Sequence, residues 1–145
     1  MTSYKDIIGQ FETAANLHQG INEFSYGTLD QLDTATQNIQ YSYLFLRPLQ
    51  GVGLSGNTRS LNFELYSLDV PKLEDPQGLQ IMTETEFALY DIVGYFNRGP
   101  LQQTTQVNIN NITPVNEAFI DRVYGWVANI TYFEQGVFNY CDYPG

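Results

Sequence analysis

The chain has 145 residues, a mass of 16.5 kDa and a net charge of −10, from 6 Lys and Arg against 16 Asp and Glu. That length suits a single domain over residues 1–145, and with no basic face to neutralise phosphates, sequence-specific nucleic-acid binding is nearly excluded. Charged residues make up only 15%, below the roughly 25% usual in soluble domains, so neutral side chains such as Gln106, Asn108 and Asn110 carry the polarity, which suits a protein buried in contacts.

The first predicted element is an amphipathic helix over about Ser3 to Leu17, where Ile7, Ile8, Phe11, Ala14 and Ala15 recur at spacings of three and four. From His18 to Gln37 the periodicity is lost, and the stretch reads as a long irregular segment pinned by Ile21, Phe24, Tyr26 and Leu29. Asn38 to Arg47 alternates Ile39, Tyr41, Tyr43 and Phe45 against Ser42, Leu44 and Leu46, the pattern of a strand with two largely apolar faces. A Gly-rich connection, Leu49 to Asn57, joins it to a second strand over Arg59 to Asp69, making a long-looped hairpin.

Pro71 and Pro76 separate that hairpin from a second helix with the apolar stripe Leu79, Met82, Leu89, Val93 and Phe96, stopped at Gly99-Pro100. Thr104 to Ile112 and Val123 to Phe133 supply two more strands, and Gln135 to Gly145 follows as a docking arm or a tail packed on its own domain. The expected fold is α+β, in the order αββαββ, with two helices on one face of a mainly antiparallel four-stranded sheet. Two helices cannot cover both faces of such a sheet, so the apolar remainder predicts a second partner surface, most simply another copy.

Candidate chemistry is sparse. Gly51-Val52-Gly53-Leu54-Ser55-Gly56 matches G-x-G-x-x-G, but Asn57, Thr58 and Arg59 lead into a strand instead of the helix that a dinucleotide site requires. His18 is the only histidine and Cys141 the only cysteine, too few for a zinc set or a supported nucleophile. Asp30 with Asp33 and Glu74 with Asp75 lack calcium-loop spacing, while Glu84, Glu86 and Asp91 fall on the polar side of the second helix. Neither catalytic residues, nor a metal site, nor a cofactor is therefore expected. A lone cysteine argues against a disulfide-stapled secreted module and for a reducing compartment, and the start Met1-Thr2-Ser3-Tyr4-Lys5-Asp6 shows no export signal. No apolar run is long enough to span a bilayer. The two Asn-x-Thr sequons at Asn111 and Asn129 read as products of an Asn-rich chain.

The N-terminal helix leads into His18-x-x-Ile21-Asn22-x-Phe24-x-Tyr26-Gly27, and then into Tyr41-x-Tyr43-Leu44-Phe45-Leu46-x-Pro48. Phe63 to Asp69, the second helix, a strand pair containing Trp126 and a terminal Cys141-Asp142-x-Pro144 complete the pattern. Across almost the whole chain this resembles the small tail-terminator or neck-ring virion proteins of Bacteroidetes phages and prophages, including crAss-like phages. Where the strand often reads Tyr-Pro, this chain has Tyr41-Ser42, which bears on the subfamily.

The resemblance implies a structural virion protein, made in the host cytoplasm, that closes into a ring, usually a hexamer, joining the tail to the neck and head connector. Its partners would be copies of itself and the neighbouring tail-tube and neck or connector proteins. DNA would pass through an acidic lumen without being held. Tyr41, Tyr43 and Tyr66 are the candidates for a lateral interface, and Val52, Leu54, Phe138 and Tyr140 for contacts to adjacent subunits or the next ring. A tail-tube or baseplate component is the alternative within that class. From another class, a small-ligand or carbohydrate-binding module would use Trp126 and the tyrosines as a stacking platform.

Overall fold

The computed structural model describes residues 2–28, 31–32, 41–70, 74, 78–118 and 123–136, the side chains of 116–118 excepted. In chain order these form α1 (Tyr4–Leu17), β1 (Glu23–Tyr26), β2 (Tyr43–Ser55), β3 (Thr58–Asp69), α2 (Leu79–Arg98), β4 (Thr105–Ala118) and β5 (Val123–Gln135). The strands make one sheet in the order β1-β2-β3-β5-β4. Every pairing is antiparallel except β1 with β2, which is parallel.

The expected four-stranded antiparallel sheet is thus corrected to a five-stranded mixed one. The extra strand lies in the stretch read as irregular. Four residues are too few to display a period, and β1 is held from outside itself: Phe24 registers on Leu44, the Asn22 N–H donates to the Ser42 carbonyl, and the Gly27 N–H donates to the Leu46 carbonyl. The Gly-rich connection is corrected as well, because β2 continues through it to Ser55 and the turn is only Gly56-Asn57, with Gly56 at φ +59°. β4 likewise runs past Ile112 to Ala118.

Ser3 caps α1, its hydroxyl accepting the Asp6 N–H and satisfying one of the orphan donors of the first turn. Ile7, Ile8, Phe11, Ala14 and Ala15 form its buried stripe. In α2 the buried stripe is Ile81, Thr85, Ala88, Leu89, Ile92, Val93 and Phe96, so the expected Leu89, Val93 and Phe96 are buried, while in the first turn Ile81 takes the place expected of Leu79, which is 69% exposed, and of Met82, which is half-buried.

Both helices pack on one sheet face. Phe11 stacks within 4.6 Å of Phe96 and 5.5 Å of Phe63, over Leu44, Leu65, Ile130 and Tyr132. Trp126 ties β5 to α2 by donating from Nε1 to the Met82 carbonyl at 2.8 Å. The chain start is fixed at the far end of the sheet, where the Thr2 N–H donates to Glu134 and Arg59 donates to the Thr2 carbonyl.

The opposite sheet face divides in two. One half carries a second core of Tyr43, Phe45, Tyr66, Leu68 and Val123, covered by Leu32. The other half is polar: Asn110 donates to Thr131, whose hydroxyl donates to Asn62, and Arg47 pairs with Glu64. The apolar remainder expected on that face is therefore absorbed by the chain itself among the described residues.

Candidate functional site

The sheet has two outer edges, and they are built differently. β1 covers only Tyr43–Leu46 of β2, so from Arg47 to Ser55 no described strand lies along the outer side of β2. Pro48 withholds an N–H at the start of this stretch, and Leu49, Gln50 and Gly51 bulge opposite Asn62, with Gly51 at φ +93°. Gln50 to Ser55 are all exposed, and at the end Val52 is 57% and Leu54 63% exposed. Backbone groups with no strand partner among the described residues, beside exposed apolar side chains, form a template for another chain.

β4, the other edge, is closed where it faces the same rows. The Leu54 row continues through Arg59 and Glu134 to Thr105, and the Val52 row through Leu61 and Tyr132 to Val107. At Val107 the Asn97 side chain imitates a neighbouring strand. Its Nδ2 donates to the Val107 carbonyl, and its Oδ1 accepts the Val107 N–H, each at 2.8 Å. The Thr105 N–H is spent on the Leu101 carbonyl at 2.9 Å. A bulge at Asn110 and Pro114 interrupt the rest of the strand. The sheet therefore offers an uncovered edge at β2 and a blunted one at β4.

The candidate interface residues are distributed unevenly. Val52 and Leu54 lie together on the open edge. Tyr41 is half-buried, packed against the second core. Tyr43 and Tyr66, 1% and 7% exposed, are taken up inside that core, which the strand alternation could not reveal because it does not show what covers a face. Burial raises the phenol pKa of both above the ordinary value, with Glu64 adding to the effect at Tyr66. Phe138, Tyr140 and the docking arm beyond Gly136 lie outside the described residues, as do Asp30, Asp33, Asp75 and Cys141.

No helix is formed after Gly56, so the glycine pattern belongs to the hairpin. His18 is held by Asp91, 2.8 Å from its Nε2. Glu84 accepts from Gln80, and Glu86 from the Tyr90 hydroxyl. Among the described residues no group of three or more His, Cys, Asp or Glu is placed to hold a metal ion, and no helix is long and apolar enough to cross a membrane. Trp126 is half-buried against α2 instead of standing as an open platform. The sequence reading missed the exposed Phe87 and Tyr90 on α2; the (i, i+4, i+8) spacing of Leu79, Thr83 and Phe87 marks that face in retrospect.

No family model matches the chain, and no curated protein matches it.

Proposed function

We propose that this chain is a non-enzymatic structural subunit that assembles with copies of itself into a closed ring, acting in a virion as a tail terminator or neck adaptor. The observation that supports assembly is the uncovered β2 edge from Arg47 to Ser55 with Val52 and Leu54 exposed on it. Soluble proteins normally blunt such an edge, as Asn97 does for β4. One open edge and one closed edge prevent a sheet from extending indefinitely through both sides. A contact between unlike surfaces closes into a ring when its rotation divides the circle. The virion setting rests on the resemblance of the sequence, and the net charge of −10 suits a lumen through which DNA slides.

The test is the mass of the purified protein by light scattering over a concentration series, with negative-stain images of the same fractions. Rings of one size are expected. The double variant Val52→Lys with Leu54→Lys is expected to be a folded monomer with a cooperative thermal transition, since both side chains are exposed on the subunit and such surface changes cost the single subunit no more than about 0.5 kcal/mol, the midpoint falling only by what association contributes. Long tubes would move the protein to the tail-tube class. A strict monomer, a dimer that stops at two copies, or rings indifferent to the double variant would overturn the reading.

A further inference from the structure

A cleft of about 440 Å³ opens between the turn after α1, the start of β2, the end of β3 and the flank of α2. Its floor is Asp69, 7% exposed. The Ser42 hydroxyl donates to Asp69 Oδ2 at 2.7 Å, and the Val70 N–H donates to Oδ1 at 2.8 Å. A carboxylate offers about four acceptor positions, and among the described residues two of this one's are used. The described ion pairs are His18 with Asp91, Arg47 with Glu64 and Arg59 with Glu134, and none includes Asp69. Burying a carboxylate without a counter-charge is costly, and this one lines a space open to solvent.

The rest of the cleft repeats that imbalance. Glu84 and Asp91 stand at its exposed side, and among the described residues neither Lys nor Arg lines it. His18 is engaged elsewhere: its Nε2 lies 2.8 Å from Asp91, and the Gly20 N–H points at its Nδ1 from 3.0 Å. Beside Asp69, Ser67 also faces the space, 3% exposed, with no hydrogen bond from its hydroxyl to a described residue. Phe87 on α2 is 57% exposed at the rim, where an aromatic face attracts a cation. The volume lies within the roughly 300–1,000 Å³ of ordinary small-ligand sites.

We propose that this cleft binds a positively charged alkylammonium or guanidinium group. Asp69 and Ser67 receive its N–H donors, Glu84 and Asp91 hold it by charge, and Phe87 packs on its carbon chain. The inference stands apart from the ring reading, because the cleft lies under α2 and the open edge lies along β2 beyond the cover of β1.

The experiment is an NMR titration of the full chain with n-butylammonium and n-butylguanidinium, with n-butanol as the neutral control. Saturable shifts centred on Ser42, Ser67 and Asp69 are expected for the two cations, with butanol at least about tenfold weaker, which is about 1.4 kcal/mol. Asp69→Asn is expected to weaken the cations by about tenfold or more, the scale of a lost charge-assisted hydrogen bond. Should that variant not fold, Glu84→Gln at the exposed rim, expected to weaken them by a few-fold, serves in its place. Comparing Nα-acetyl-lysine amide with 1,4-diaminobutane separates the two sources of such a group. Preference for the amide assigns the cleft to a side chain of a protein partner, and preference for the diamine to a free amine. Absence of saturable shifts, or butanol binding as well as the cations, would overturn the proposal.

Discussion

Gly125 in β5 has φ +155°, and a Cβ added there would lie 1.9 Å from the Ser67 carbonyl oxygen of the paired strand. Backbone is in the way and cannot rotate aside, so glycine is needed for close approach as well as for conformation. Gly125→Ala is expected to destabilise the fold by more than about 2 kcal/mol, seen as a lower urea midpoint. An unchanged midpoint would show that the β3–β5 register shifts freely at this row. Gly51 and Gly56, also at positive φ, have open space where a side chain would sit, so the penalty there is conformational alone. All three are glycines in β-rich sequence, and only the position of the opposing strand separates them.

Asn97 does more for its element than its place at the end of α2 suggests. The sequence marks it as part of a helix stop, Asn97-Arg98-Gly99-Pro100. In three dimensions it completes the hydrogen bonding of Val107 on the outer strand. Asn97→Ala leaves an N–H and a carbonyl unpaired, and the expected loss is about 1–3 kcal/mol. It also opens a second sheet edge, so association is expected to become less self-limiting, with larger species in sedimentation velocity at equal concentration. A variant with wild-type stability and wild-type sedimentation would remove Asn97 from this role. The local signals for α1 were complete, because the Ser3 cap and the (i, i+3, i+4) apolar stripe lie within the helix itself. Those for α2 were weaker, since Leu79 and Met82 share its period with Ile81 and Thr85, and only packing decides which stripe is buried.

At the scale of the whole molecule, each of the two cores buries tyrosines. Tyr132 is fully buried under α1 and donates to Gln10 at 2.8 Å, while Tyr43 and Tyr66 belong to the opposite core. Burial is the first cause of the raised pKa in all three. A phenol with a higher pKa folded than unfolded contributes stability that is complete below the unfolded value, near 10, and is lost as pH rises through the folded value. The thermal midpoint is therefore expected to fall steeply above about pH 10, and Tyr132→Phe should flatten that slope while removing the Gln10 hydrogen bond. A midpoint equally flat in both proteins would contradict the linkage.

The amino-acid sequence by itself determined the acidic balance, both helices and the four long strand regions, because charge and periodicity are properties of neighbouring residues. It also identified Val52 and Leu54 as apolar residues in a hairpin that had no partner in view. The tertiary structure alone decided that Glu23–Tyr26 is a strand, since its hydrogen bonds go to Tyr43–Leu46, about 20 positions away. It likewise decided that β5 lies between β3 and β4, that Tyr43 and Tyr66 are covered, and that one edge is blunted while the other is open. The physical reason is common to all of these: which side of a strand is covered depends on groups far along the chain, and local alternation carries no information about them.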